Sequence, residues 1–494
     1  MGSSVTLSDI GTRLQNPDLK WQQEQVADLL HRQPLGFPGA QPVSFSRHHL
    51  DELQQRDYFM CEKTDGIRCL LYLTQFVNED GQRVEVQFLI DRKNDYYYIP
   101  RDALHIPTPA PEGVKEDFDV ANFHLGTLLD GELVLQRLKA GGQRLAYLMF
   151  DILALDGESV MNKPFDRRLA RLQQQVARPY RKFTDRYPED AKTFPFQPEL
   201  KAMELPYGTE MMFKDRIPNL PHGNDGLIFT CVGTEYVSGT DQHILKWKPP
   251  HENTIDFRLV LGDFPMLEDE DGVYPDWDAC PDLELHVNHG DSRSNAGAGM
   301  GGGYHRFANL TLTPAEWTSF KSLQQPLDSR IIECYRDPAT GHWRPKIEDR
   351  DGTPRFRDDK TEANHISTVN SVLLSIEDAV GEGDLIEAAG RIKRGYKRRQ
   401  AEKVEGERRA VVGEEEKKRR REGQAGQGQG QQGRGQGGGV QQLQQQSQQG
   451  NGQVRRESGQ QVKVVEEEEE DDGPRMKAGP RASEACGWNG KLVA

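Results

Sequence analysis

The sequence lacks any run of eighteen consecutive apolar residues, so it offers no stretch with the reach of a membrane-spanning helix. Its N-terminus lacks the basic-then-apolar pattern of a secretory signal. Cysteine is scarce: six in 494 residues, at 61, 69, 231, 280, 334 and 486, with no C-x-x-C pair, which argues against both a zinc site and a disulfide framework. These absences lead us to expect a soluble, intracellular protein with reduced, mostly buried thiols and no membrane contact. Also missing is the positive charge of a non-specific nucleic-acid binder. The net charge is -15, and because the sixteen acidic and sixteen basic residues from 401 onward cancel, all of the excess lies in the first 400 residues. An acidic body disfavours broad binding to RNA or DNA. Any nucleic acid it handles is expected to meet a local basic cleft that acts on an end.

What the chain does have is a short cationic turn. Cys61-Glu62-Lys63-Thr64-Asp65-Gly66-Ile67-Arg68 follows the apolar pair Phe59-Met60 and runs into Cys69-Leu70-Leu71-Tyr72-Leu73, which predicts a tight turn between two strand-like segments. Gly66 is expected to supply permissive backbone there, while Lys63 and Arg68 project from the two sides into the space the strands enclose. Taken alone, the same residues also read as a hairpin with a solvated lysine and arginine.

The rest of the chain divides by composition. Residues 1–44 hold a helical segment over 18–31, capped by Asp18 and apolar at Leu19, Val26, Leu29 and Leu30, before Pro34, Pro38 and Pro42 break the period. Residues 45–248 carry strand-length apolar runs at 69–73, 84–90, 96–99, 133–135, 145–155 and 227–230, with a helical piece at 167–178. This predicts a sheet-rich α+β domain with mixed or antiparallel sheets. Lys248-Pro249-Pro250 marks a hinge. From 249 to 380, short strands at 254–261, 283–287, 331–335 and 343–347 suit a small barrel, with a disordered Gly/Ser/Asn insert at 288–303 and a helix over 366–380. A helical extension is expected over 381–400. The charged and Gln/Gly blocks of 401–494 read as a disordered low-complexity tail, too poor in apolar surface to offset ordering entropy. Within it Lys417-Lys418-Arg419-Arg420-Arg421 is a candidate import signal.

Several later stretches place charge at strand ends. Ile90-Asp91-Arg92 puts a cation straight after a strand, and Asp130-Gly131-Glu132 puts a carboxylate at the start of one. Phe150-Asp151 ends a buried strand in an acid, Asn224-Asp225-Gly226 repeats the carboxylate-glycine-strand pattern, and Lys246-Trp247-Lys248 alternates two lysines onto one strand face. Singly, Phe150 reads as core and the two lysines as solvent-facing. Taken in order, K-T-D-G-I-R, D-G-E-L-V, D-G-L-I-F and L-K-W-K-P resemble the motifs of the covalent nucleotidyltransferases. Over about 45–375 the chain is similar to the messenger RNA capping guanylyltransferases rather than the ATP-dependent polynucleotide ligases. I-D-R-K-N-D-Y-Y-Y and Arg357-Asp358-Asp359-Lys360, followed by Asn364-His365, also resemble the capping branch. A ligase is expected to add a large DNA-clamping region, and fewer than fifty residues precede the core.

The resemblance implies a nucleotidyltransferase domain followed by an OB-fold β-barrel. It implies an enzyme that moves GMP from GTP, through a lysyl-N-GMP intermediate, onto the 5′-diphosphate end of nascent mRNA. Lys63 would be the nucleophile. Arg68 and Glu132 would hold the ribose and Arg92 the ribose-phosphate side, with Phe150 stacked on guanine and Lys214 near the guanine oxygen. Asp225 would bind a divalent metal, Mg²⁺ or Mn²⁺, and Lys246 and Lys248 the α-phosphate. Arg357 and Lys360 would reach the β- and γ-phosphates when the barrel closes. A lysine attacks only as the neutral amine, a form that neighbouring cations favour, and the same cations stabilise charge on the transferring phosphorus.

The chain contains no H-C-x5-R phosphatase loop. The resemblance therefore also implies a separate RNA 5′-triphosphatase subunit, as in fungi, recruitment by the phosphorylated C-terminal tail of RNA polymerase II, and a nuclear location. Two alternatives stand beside this reading. One is a ligase-like adenylyltransferase, which ATP would label; the other is a non-catalytic barrel that binds nucleic-acid ends or a partner, which no nucleotide would label.

Overall fold

In the computed structural model, which describes residues 5–78, 80–100, 103–269, 272–290, 303–348 and 352–428, the strands on either side of Asp65-Gly66 part company. Strand β1 (Tyr58–Thr64) joins a four-stranded sheet, whereas β2 (Ile67–Val77) joins an eight-stranded one. The turn is thus a crossover between sheets and not a hairpin. Gly66 serves it by close approach rather than by backbone freedom, since its φ is not positive. A Cβ there would stand 2.4 Å from the Leu133 carbonyl oxygen and 2.7 Å from Val134 Cγ1.

The large sheet runs from Thr12–Arg13 through Tyr96–Ile99, Arg83–Ile90, β2, β3 (Thr127–Arg137) and β4 (Gln143–Leu155) to Glu158–Ser159. Its pairs are antiparallel except for Gln197–Leu200, which lies parallel to β4. The small sheet runs β1, β5 (Asn224–Cys231), β6 (Gly239–Trp247) and Ala40–Ser44. Side chains alternate across β2, so Leu71 joins the apolar layer behind the large sheet, with Leu129, Met149 and Phe183. Leu70 and Tyr72 join the layer shared by both sheets, with Ala40 and Tyr236. Burial on both faces makes the centre of β2 a continuous apolar run. The helical piece expected at 167–178 extends over 165–186.

A second domain holds a five-stranded sheet ordered Tyr304–Asn309, Leu283–Asn288, Thr254–Leu261, Ile331–Arg336, Trp343–Pro345 around Phe257, Leu285 and Ile332. One isolated bridge, Leu310 to Trp343, brings its edges together, but among the described residues no ladder closes a barrel. Most of the insert expected to be disordered, 291–302, lies outside the described residues. Helix α1 (Ile366–Glu377) packs on this domain through Val369.

The chain then returns to the first domain. Where it leaves and where it re-enters are tied together, since Trp247 Nε1 donates to the Val380 carbonyl at 2.7 Å. Helix α2 (Glu382–Gly428) presents Leu385, Ala388 and Ile392, one helical face, to a cluster with Leu53, Phe229 and Trp247. Two turns beyond, Arg399 pairs with Asp57 at 2.7 Å. Of the tail read as disordered, 401–428 is helical and the remainder lies outside the described residues. The chain divides at Glu402, and beyond it only the helical stretch to Gly428, which includes the basic run 417–421, is described. Among the described residues no helix is long and apolar enough to cross a membrane.

The docking of α2 is testable. Leu385, fully buried, should lose about 2–5 kcal/mol on replacement by alanine, measured by urea denaturation. Exposed Val404→Ala should stay within about 0.5 kcal/mol. Equal effects at the two positions would refute the docking.

Candidate active site

The crossover at Asp65-Gly66 leaves a cleft whose lining comes from both sheets. The small sheet contributes Lys63 and Thr64 from the end of β1 and Ile228 and Thr230 from β5, while the large sheet contributes Arg68, Asp130, Glu132 and Phe150. A second pinch places Asp225. Gly226 has φ +148°, and a Cβ on it would lie 2.0 Å from the Trp247 carbonyl oxygen. Only glycine lets β5 and β6 meet so closely there, and the contact brings Asp225 beside Lys248.

Asp225 is the ionic centre of the small-sheet wall. Lys63 donates to both its oxygens, at 2.6 and 2.9 Å, and Lys248 reaches Oδ2 at 2.8 Å. Although burial works against it, Lys248 and Lys63 hold the Asp225 carboxyl below its ordinary value. Asn224 braces the turn by donating to the carbonyls of Lys63 and Gly226, at 3.0 and 2.7 Å. Burial, then the charges of Lys248, Lys63 and Arg92, lower the Lys246 amine.

On the large-sheet wall Arg68 forks onto Asp130, Nε at 2.7 Å and Nη2 at 2.6 Å, and its guanidinium carbon lies 5.0 Å from the Phe150 ring centroid. Asp130 is 1% exposed and accepts a third bond, from the Tyr236 hydroxyl at 2.5 Å. A buried carboxylate needs such donors, because an unpaired one would cost several kcal/mol. Lys201, also buried, donates to Thr64 Oγ1 and places its ammonium 5.9 Å from the Phe150 centroid. Burial raises the Glu132 carboxyl, against the pull of Lys201, Lys63 and Arg68.

Of the residues expected at the site, Lys63, Arg68, Arg92, Glu132 and Phe150 line this cleft. Asp225, Lys246 and Lys248 adjoin it, the two lysines also lining a hollow shared with Glu252 and Thr254 of the second domain. Arg357 and Lys360 stand apart, both on buried Asp256, with Asp359 and Glu333 as further partners of Arg357, all in the second domain. Lys214 is the exception. It is exposed in the helical segment Met212–Arg216, pairs with Glu210 at 2.6 Å and does not line the cleft.

Lys201, which does line it, escaped sequence reasoning because a lone lysine between Leu200 and Ala202 carries no local pattern. Its place is set by the parallel pairing of Gln197–Leu200 with β4. Asp130 lay inside the quoted D-G-E motif without being assigned a role. Tyr236 has no local signal at all.

Among the described residues no three His, Cys, Asp or Glu side chains converge as a metal cage. Magnesium needs no such cage, being usually held by one or two carboxylates together with substrate phosphates. Asp225, a partly exposed carboxylate flanked by two ammonium groups, fits that pattern.

The depressed Asp225 carboxyl has a consequence for acid stability. Its folded value lies below an unfolded one of about 3.9. Its contribution is therefore complete above about pH 4 and is lost as the pH falls through the folded value. Asp225→Asn should flatten the acid limb of urea midpoint against pH; an unchanged limb would contradict the pairing.

Residues 8–250 match the family model of the mRNA capping enzyme catalytic domain, and residues 252–386 that of the mRNA capping enzyme C-terminal domain. The chain is 46% identical over 395 residues to the mRNA-capping enzyme subunit alpha of Neurospora crassa, covering 78% of this chain and 92% of that protein. It is 42% identical over 387 residues to the subunit alpha of Schizosaccharomyces pombe, covering 78% and 88%. The solved structure of a mycobacterial DNA ligase D complexed with ATP and MES aligns with a TM-score of 0.26 at 14% identity, covering 65% of this chain and 94% of that one, a likeness too slight to bear on function. With both domains matched and relatives this similar along most of their length, the chain belongs to the mRNA capping enzyme family.

Proposed function

We propose that the chain is an mRNA guanylyltransferase that passes GMP from GTP, through a covalent lysyl-N-GMP on Lys63, to the 5′-diphosphate end of nascent mRNA. The observation that carries this reading is the meeting of Lys63 from one sheet with Arg68, Glu132 and Phe150 from the other in a single cleft. In the first step the Lys63 amine attacks the α-phosphorus of GTP; a nitrogen–phosphorus bond forms as the bond to the β-phosphate oxygen breaks, and pyrophosphate leaves. In the second, a terminal phosphate oxygen of the RNA attacks the same phosphorus, the Lys63 amine departs and the GpppN cap forms.

Lys63 must first be released from Asp225, to which it donates in the resting arrangement. Asp225 would hold Mg²⁺ or Mn²⁺ with phosphate oxygens, and the bound ion would add positive charge that favours phosphoryl transfer. Lys246 and Lys248 hold the α-phosphate, Arg68 and Glu132 the ribose, and Arg92 the ribose-phosphate side. Phe150 stacks on guanine. The contact to the guanine oxygen falls to Lys201 instead of Lys214, since Lys201 is the lysine beside Phe150.

The second domain is read as an OB-fold module whose Arg357 and Lys360 exchange Asp256 for the β- and γ-phosphates as it closes over the cleft. A separate RNA 5′-triphosphatase would prepare the RNA end. The words "subunit alpha" in the relatives' names support a partner subunit. Recruitment by the phosphorylated tail of RNA polymerase II and work in the nucleus complete the reading.

Incubation with α-labelled GTP or ATP and Mg²⁺, followed by denaturation, should leave acid-labile label from GTP only. Lys63→Ala should abolish it. Arg357→Ala or Lys360→Ala should slow label formation by roughly 10²-fold. Label from ATP would move the chain to the ligase class, no label from either nucleotide would leave a binding site, and near-normal label on Lys63→Ala would sink the assignment.

A further inference from the structure

We infer that Tyr236 is a positioning residue of guanylyl transfer: its hydroxyl, reaching from the small sheet to Asp130 on the large one, fixes Arg68 and the spacing between the wall that bears the nucleophile and the wall that receives the nucleoside. The inference rests on the guanylyltransferase reading and adds to it a residue of the loop between β5 and β6, which holds no cleft charge of its own.

Both ends of this tie are anchored. Tyr236 is 5% exposed, with its ring in the apolar layer shared by the two sheets. Its hydroxyl accepts from the Ala40 backbone N–H at 2.9 Å, at the start of the small sheet's edge strand Ala40–Ser44, and donates to Asp130 Oδ2 at 2.5 Å. Its proton and an acceptor site are thus both committed, so it has one orientation. At the other end, Asp130 is buried and already grips Arg68 through two hydrogen bonds.

The loop is braced independently. Arg168 donates to the Thr234 carbonyl at 2.9 Å and to both oxygens of Asp151 at 2.8 Å, and its guanidinium carbon lies 5.4 Å from the Tyr236 ring centroid. Asp151 belongs to β4, so this second tie also joins the Tyr236 loop to the large sheet. The hydroxyl of Tyr236 is then the point at which a rigid loop sets the angle of the Arg68–Asp130 fork. In-line attack tolerates little misplacement between nucleophile and phosphorus, so loosening this tie acts on the rate of adduct formation.

Tyr236→Phe keeps the ring and removes only the hydroxyl. In the full chain with GTP and Mg²⁺, single-turnover lysyl-GMP formation at saturating GTP should fall about 10- to 100-fold, as expected for a lost hydrogen bond to a charged group. The urea midpoint and the GTP concentration for half-maximal rate should change far less. The double variant Tyr236→Phe/Asp130→Asn should be no slower than Asp130→Asn alone, because the tyrosine acts through the aspartate. A saturating rate within twofold of wild type would overturn the inference. So would effects of the two substitutions that simply add, or a slower rate explained by loss of folded protein, either of which marks a packing role. Absence of label on the wild-type chain in the same experiment would instead refute the guanylyltransferase reading and this inference with it.

Discussion

The molecule depends on a contact that leaves no room for a side chain. At Gly66 the chain passes so close to the backbone of Leu133 that a single added carbon would sit 2.4 Å from its carbonyl oxygen. That approach lets two residues carry the chain from the end of β1 in one sheet to the start of β2 in another. Lys63 and Arg68, five positions apart, consequently stand on opposite walls of one cleft. The second pinch, at Gly226 against Trp247, brings Asp225 beside Lys248 on the small-sheet wall. Both glycines act through space and backbone, so the charged groups beside them are placed by main chain and need no flexible loop to bring them together.

The ionic pattern follows from what burial costs. A charge taken out of water must be paired, and two of the cleft carboxylates show it: Asp130 takes three donors and Asp225 two ammonium groups. The second domain repeats the arrangement, with Arg357 and Lys360 both resting on Asp256. Each resting carboxylate thus occupies cations that can equally well bind phosphate oxygens. Trading one anion for another is a smaller change than gathering bare cations would be. The two chain crossings between the domains, tied by Trp247 and Val380, keep these two sets of cations on a short connection.

Legibility in the sequence tracked how local each cause was. The strand at 69–73 could be read as the continuous apolar run of a strand buried on both faces, and that at 84–90 by the alternation of Val84, Val86 and Phe88 with Glu85 and Gln87. Lys63, Arg68, Glu132 and Asp225 could be read because each sits within two residues of a glycine or strand end that positions it. Lys201 and Tyr236 could not, since a parallel pairing with β4 and a loop between two strands bring them in from far along the chain. Lys214, placed by the resemblance on a loose local motif, misled: its charge is used by Glu210 four residues earlier. The helix over 401–428 hid for a related reason. Runs of Glu, Lys and Arg look disordered by composition, yet they are good helix formers and can pair along the helix, as Glu405 and Arg409 do at 2.9 Å.

Four lysines, at 63, 201, 246 and 248, line or adjoin the cleft, and covalent chemistry is proposed for Lys63 alone. Peptide mapping by mass spectrometry, under alkaline conditions after incubation with GTP and Mg²⁺, tests that assignment most directly. A single GMP adduct is expected, on the peptide that contains Lys63. An adduct on Lys201, Lys246 or Lys248, or none on any of the four, would contradict it.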